Sequence, residues 1–249
     1  MNIDLAGKRA IVAGGSRGIG RAIALGLAEA GAGVSICARG SERLAATRDE
    51  IARHGHTAHS AVCDLADAAA VPGYIEEAAS ALGGIDILIN NASGFGATDD
   101  ENGWAVSVSV DLMATVRAIR TALPHLEKSG SGAILNISSI SGLRATPRTP
   151  PYAAIKAAVV NYTLTEAAAL ARKGIRVNCI APGSIEFPGG TWERARLNNP
   201  DLYGRILRSI PFGRLGKPEE VAQVAVFLCS SLAGWVTGQT IAVDGGQVL

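Results

Sequence analysis

The sequence is short of several things, and each shortage closes off a class of function. An excess of one charge is missing: 23 Lys and Arg stand against 22 Asp and Glu. The formal net of +1 offers no basic field for nucleic acid and no acidic one for cationic partners. No segment approaches the roughly 20 uninterrupted apolar residues of a membrane helix. The start, MNIDLAGKRAIVAGG, has no basic stretch leading into an apolar run with a cleavage site, so it does not read as a signal peptide. Cysteine is scarce and scattered. Cys37, Cys63, Cys179 and Cys229 stand in apolar contexts without CxxC spacing or neighbouring histidines, which reads as reduced, buried thiols of a cytoplasmic protein. His54, His56 and His59 sit in a polar connection and His125 near a helix end, so no metal site is expected. Aromatics amount to three Trp, four Tyr and four Phe.

What remains is a chain rich in Ala and Gly, 48% hydrophobic and 18% charged, an ordinary composition for a globular enzyme. Its 249 residues suffice for a large core. Short apolar runs at 8–13, 34–38, 58–63, 85–89, from 133, at 175–181 and at 240–243 read as strands. They alternate with helical patterns at 20–30, 41–54, 67–82, 99–127, 151–173 and 218–229. Ser41 is expected to cap the second helix, Asp67 to begin the third, and Pro124 to bend or end the fourth. Several strands are apolar on both faces, which demands a parallel sheet covered by helices on each side. The expected fold is therefore α/β: a single doubly wound Rossmann-type domain, 1–249, with a seven-stranded parallel sheet. The one irregular insertion, 186–214, carries Pro188, Pro200 and Pro211 and is a candidate substrate lid.

Gly14, Gly18 and Gly20 give the spacing GxxxGxG after the first strand and lead into a helix. Glycines permit the tight turn and let backbone amides and the positive end of the helix approach a pyrophosphate. A carboxylate about 20 residues further on would bond a ribose 2′-hydroxyl and select NAD, but Ala38 and Arg39 occupy that region. Arg39 can pair with a 2′-phosphate as a planar fork, and Arg17 can add a second contact. NADP(H) is thus favoured over NAD(H).

Tyr152 and Lys156 are four apart and share one face of a helix. Free tyrosine titrates near pH 10, too high for easy proton transfer at neutrality. A lysine ammonium about 4 Å away is worth up to about 4 kcal/mol at an effective dielectric of about 20, which turns the phenol into a usable acid or base. Ser138 or Ser139, at the end of the fifth strand, can hold a substrate carbonyl beside it.

Together these parts resemble the short-chain dehydrogenase/reductase family over nearly the whole chain. The matching motifs are AGGSRGIG at 13–20, CDLAD at 63–67, NNAS at 90–93, Ser139 thirteen residues before Tyr152, YAAIK, RVNCIAPG at 176–183, IPFGRLGKPEEVA at 210–222 and the closing WVTGQTIAVDGG. The resemblance implies that Tyr152 is the general acid in carbonyl reduction and the base in alcohol oxidation. By the same resemblance Lys156 assists it and holds the nicotinamide ribose, while Ser139 orients the substrate oxygen. It also implies Asp64 at the adenine, Asn90 beside the cofactor ribose and Ile185 against the carboxamide, with Ser16, Ile19, Leu65, Ala92, Pro182 and Gly183 as further cofactor contacts. A helix cap, a turn residue and core packing are the respective alternatives for Asp64, Asn90 and Ile185. A homotetramer (or homodimer) is implied, built from helices at 100–127 and 151–173 and the C-terminal strand.

Three residues depart from the family's pattern. Ala13 stands where Thr usually braces the glycine turn, and Ser93 replaces the Gly of NNAG. Asp111 occupies the place of the catalytic Asn that completes a proton relay through Lys156. An ionised Asp there raises the pKa values of Lys156 and Tyr152 by sign alone. It is expected to support the relay through water or backbone, weighting activity to the reductive direction or to higher pH. The expectation is an NADP(H)-dependent oxidoreductase acting on a small-molecule carbonyl or secondary alcohol. The alternative, kept open by Asp111 and Ser93, is a dinucleotide-binding protein without turnover, acting as a redox sensor or interaction subunit. Phe95, Leu143, Phe187, Trp192 and Tyr203 suggest apolar pocket walls.

Overall fold

The computed structural model describes residues 3–249. Seven strands, β1 Arg9–Ala13, β2 Gly33–Ala38, β3 Ala58–Val62, β4 Ile87–Asn90, β5 Ala133–Ile137, β6 Arg176–Pro182 and β7 Thr240–Val243, form one sheet in the order β3-β2-β1-β4-β5-β6-β7. Every pairing is parallel. The helices are α1 Gly18–Glu29, α2 Ser41–Ala52, α3 Ala70–Leu82, α4 Glu101–Val106, α5 Ala114–Ser129, α6 Pro150–Leu170, α7 Thr191–Asn198, α8 Pro200–Arg208 and α9 Pro218–Cys229. The two-residue period of a strand feeds two cores. In β1, Ala10 and Val12 pack with α1, α2 and α9, whereas Ile11 and Ala13 join α3, α5 and α6. Ile11, Ile36, Leu88 and Ile89 are wholly buried, and burial of such a side chain is worth about 1.5–3 kcal/mol.

The strand order reverses between β1 and β4. In an open parallel sheet that reversal leaves a crevice at the carboxyl ends of the strands, where ligands bind. Here the glycine turn follows β1 and Asn90 closes β4, so both meet at the crevice.

The helical run at 99–127 departs from expectation. Asp100 caps it by accepting the Gly103 amide at 2.7 Å, and the chain then widens into a π-helical stretch at Ser107–Met113 before α5 begins. Pro124 does not end α5, which runs on to Ser129. Burial of Ala118, Ile119, Ala122 and Leu126 outweighs the roughly 3 kcal/mol that an interior proline costs. Ser41 is the first residue of α2 and makes no side-chain cap. Asp67 closes the turn ahead of α3 by accepting the Ala69 amide at 2.9 Å. At α6, Pro150 and Pro151 fall in the first turn, whose N–H groups lack helical partners anyway. The four cysteines are free and buried. Among the described residues no helix is long and apolar enough to cross a membrane.

At the opposite edge of the sheet, buried Asp86 accepts from the backbone of Arg9 at 2.9 Å, from its Nε at 2.6 Å and from its Nη2 at 3.1 Å. The carboxylate ties the start of β1 to that of β4 and raises the Arg9 pKa, chiefly through the hydrogen bond. Asp86→Ala leaves the Arg9 amide without its acceptor and is expected to lower the unfolding free energy by about 2 kcal/mol in urea titration. Cofactor affinity should be unchanged, because this tie lies at the far end of the strands.

Candidate active site

Strand β5 delivers two serines with different duties. The Ser138 hydroxyl donates to the Lys156 carbonyl at 2.8 Å and is used up in fastening the strand to α6. Ser139 begins a 3-10 turn, Ile140–Gly142, and its Oγ accepts the Ser141 amide at 3.1 Å. That leaves the Ser139 hydroxyl hydrogen free of any partner among the described residues. The turn lies flat on α6: a Cβ at Gly142 would stand 2.6 Å from the Lys156 carbonyl carbon and 2.7 Å from the Ala157 amide nitrogen. The position of Ser139 relative to Tyr152 and Lys156 therefore depends on that glycine.

Lys156 is buried, with its side chain only 3% exposed. Its ammonium donates to the Ile137 carbonyl at 2.9 Å and lies 3.0 Å from Asp111 Oδ1. The approach to Oδ1 is an ion pair off the hydrogen-bond axis. Burial pushes the Lys156 pKa down, but the charges of Asp111 and Tyr152 and the Asp111 contact outweigh it, so the pKa is raised. Nζ stands 5.7 Å from the centre of the half-buried Tyr152 ring. Asp111 sits in the π-helical stretch, a feature frequent at functional sites, and reaches Lys156 directly, without the intermediary that the sequence suggested. Its other oxygen accepts the Gly94 amide at 2.9 Å. One carboxyl group thus joins the lysine to the loop after β4.

In that loop Asn91 takes over the bracing that Ala13 cannot provide. Its Nδ2 donates to the Gly14 carbonyl at 2.9 Å, and the amides of Gly14 and Gly15 donate to the Cys37 carbonyl. Buried Asn90 donates to Asn136 at 2.9 Å, which in turn donates to Thr163 at 2.9 Å. Exposed Ser93 accepts the Phe95 amide at 3.1 Å, and the Phe95 ring meets Tyr152 edge to face at 4.9 Å.

The glycine turn after β1 forms a cradle. The amides of Ser16, Arg17, Gly18, Ile19 and Gly20 donate to no protein acceptor among the described residues, at the N-terminus of α1. Gly14 has φ 82°, and a Cβ there would stand 2.9 Å from the Ala92 Cα, so the turn closes against the loop after β4. Phe187 lays its ring beside Gly18, where a Cβ would stand 2.7 Å from the ring. Arg17 and Arg39 are exposed and pair with no group among the described residues. Asp64 is exposed and closes a turn by accepting the Ala66 amide at 3.0 Å, while Leu65 is buried in the core behind it. Past β6, the Gly183 amide donates to Val243 at 3.0 Å, and buried Ile185 bridges to Gly216. Pro182 is the last residue of β6, paired with Val243.

All these positions share the carboxyl edge of the sheet. Asn91, the Phe95–Tyr152 contact and the Phe187–Gly18 contact escape sequence reasoning; only the adjacency of Asn91 to Asn90 hinted at the first. The 186–214 segment folds as α7 and α8, and Glu186 holds both by accepting from Arg196 Nε at 2.9 Å and the Tyr203 hydroxyl at 3.1 Å.

Residues 13–247 match the family model described as Enoyl-(Acyl carrier protein) reductase. The 3-oxoacyl-[acyl-carrier-protein] reductase of Aquifex aeolicus is 37% identical, over 99% of this chain and 100% of its own. L-Sorbose reductase from Gluconobacter frateurii, solved with NADPH and L-sorbose, is 33% identical with a TM-score of 0.92, covering 100% of this chain and 99% of its own. A short chain dehydrogenase from Burkholderia cenocepacia J2315, solved with NADP, is 33% identical with a TM-score of 0.91, covering 98% and 99%. Likeness of this extent, over almost the whole of each chain, leaves one conclusion: the chain belongs to the short-chain dehydrogenase/reductase family, whose members are NAD(P)-dependent oxidoreductases acting on CH–OH and C=O groups.

Proposed function

We propose that the protein is an NADP(H)-dependent oxidoreductase that interconverts a small-molecule carbonyl and its secondary alcohol, with Tyr152 as general acid and base. The observation that carries this reading is the buried Lys156 ammonium, pinned between Ile137 and Asp111 one helical turn from Tyr152. The free amides of 16–20 and the close approach of Gly14 to Ala92 fit a pyrophosphate. Arg17 and Arg39, free of partners among the described residues, fit a 2′-phosphate. Asp64 and Leu65 would border the adenine. Asn90, Ala92 and Lys156 would hold the nicotinamide ribose, with Pro182, Gly183 and Ile185 beside the ring. When bound, NADP(H) supplies or accepts the hydride.

The Ser139 hydroxyl, free to donate, would hold the substrate oxygen, and Tyr152 would pass that oxygen its proton in the reductive direction. Lys156 stabilises negative charge on the Tyr152 oxygen as the proton leaves. Asp111 offsets part of that effect and keeps Lys156 protonated, which weights the site towards proton donation. Segment 186–214, held by Glu186, would cover the substrate. The exposed Leu164, Leu232 and Trp235 support assembly into a homotetramer or homodimer through α6 and the C-terminal segment.

Tyr152→Phe is expected to lower kcat by about 10²–10⁴-fold while NADPH binding, followed by fluorescence, persists. Turnover on a panel of ketones that survives this change would overturn the role given to Tyr152. Arg39→Ala should lower kcat/KM for NADPH by about 10- to 100-fold with little effect on NADH. An unchanged cofactor ratio would place the 2′-phosphate elsewhere.

The pair of Asp111 and Lys156 is accessible to pH. The Lys156 pKa is raised above its ordinary 10.5, so the stability it contributes is complete below that value and is lost as pH rises through the higher one. Asp111→Ala strands a buried ammonium and should cost about 3–5 kcal/mol in urea unfolding. Asp111→Asn keeps an oxygen for the Gly94 amide but loses the charge, so Lys156 titrates lower and the alkaline limb of the kcat/KM profile moves to lower pH. Superimposable profiles would remove Asp111 from the mechanism.

A further inference from the structure

Phe95 is placed against two ordinary preferences. It has φ 49°, in the left-handed region, and no other described non-glycine residue has a positive φ. Its side chain is also 45% exposed, so the core gains little from it. Strain that the surroundings impose and that contributes little to the core is characteristic of functional sites. The surroundings that impose it are explicit. Gly94 packs against Val106, with a hypothetical Cβ 3.0 Å from its carbonyl oxygen, and donates its amide to Asp111. Gly96 lies equally close, against the Gly103 carbonyl of α4 and the start of the π-helical stretch, where a Cβ would stand 2.6 Å from Ser107 Oγ. Ser93 accepts the Phe95 amide itself. With the backbone fixed on both sides, the phenyl ring is aimed at Tyr152 and meets it edge to face at 4.9 Å.

From this juxtaposition we infer that Phe95 is a specificity-determining residue that selects carbonyl substrates bearing an aryl or other flat apolar group next to the reacting carbon. The inference rests on the reading of Tyr152 as the proton donor. A carbonyl oxygen at the Tyr152 hydroxyl brings the substituents of its carbon within reach of the Phe95 ring. A flat apolar group gains an aromatic contact there. A polar one gives up water against a phenyl face that offers no hydrogen bond.

The test compares two β-keto esters that differ only in this substituent, ethyl benzoylacetate and ethyl acetoacetate, each with NADPH. Wild type is expected to prefer the benzoyl ester. Phe95→Ala should lower the ratio of kcat/KM, benzoyl over acetyl, by about tenfold, through KM of the aryl ester. Phe95→Gly relieves the backbone strain and should lose the same selectivity while its melting temperature holds or rises by about 2–4 °C. That combination excludes misfolding as the cause. Equal losses on both esters, or no preference in wild type, would overturn the inference. Tyr152→Phe on the same esters tests the underlying reading separately: turnover that survives it defeats the proton-donor role, whatever Phe95 does.

Discussion

A buried ammonium is the constraint on which the site depends. Lys156 has almost no contact with water, and an unpaired charge in that position would cost several kcal/mol. Two groups answer it, the Ile137 carbonyl at the end of β5 and Asp111 on the π-helical stretch. Because the same Asp111 also accepts the Gly94 amide, the answer to the charge fixes the loop after β4. That loop carries Phe95 onto Tyr152 and Asn91 onto the glycine turn. Satisfying one charge therefore aligns the proposed proton donor, the proposed cofactor cradle and the proposed substrate wall at Phe95.

The sheet makes this economy possible. Parallel strands put all their carboxyl ends at one edge, and the reversal of order between β1 and β4 parts the loops there. Groups far apart in the chain, such as Gly14 and Ala92, come into contact across the crevice. The opposite edge is occupied by stabilising interactions, of which Arg9 and Asp86 are the clearest. Function and stability are thereby separated along the strand direction.

Close approach, more than side-chain chemistry, sets several distances in the site. The turn after Ser139 rests on the α6 backbone because Gly142 has no Cβ, and Phe187 reaches the glycine turn because Gly18 has none. Glu186 then spans from the end of β6 to both helices of the 186–214 segment. Its two bonds place that segment over the same edge as Tyr152.

Local pattern and composition by themselves determined the layered α/β fold. Apolar runs of strand length, alternating with helical periods, admit little other than a covered parallel sheet, and β1 to β7 appear where those runs lie. The glycine spacing, the Tyr152–Lys156 interval and the placing of Ala38 and Arg39, with no carboxylate, at the end of β2 were equally legible, because each is a relation between near neighbours in the chain. Helix 99–127 was not. Its apolar period continues through the π-helical stretch, and only packing against α6 and the loop after β4 decides that the helix widens at Asp111. The sign of the Asp111 effect on Lys156 could be read from charge alone, but its direct contact could not, since the two residues are 45 positions apart. Asn91 and Phe95 belong to the same class. Their partners lie 77 and 57 residues away, so their parts in the site arise from contacts that only the closed sheet creates.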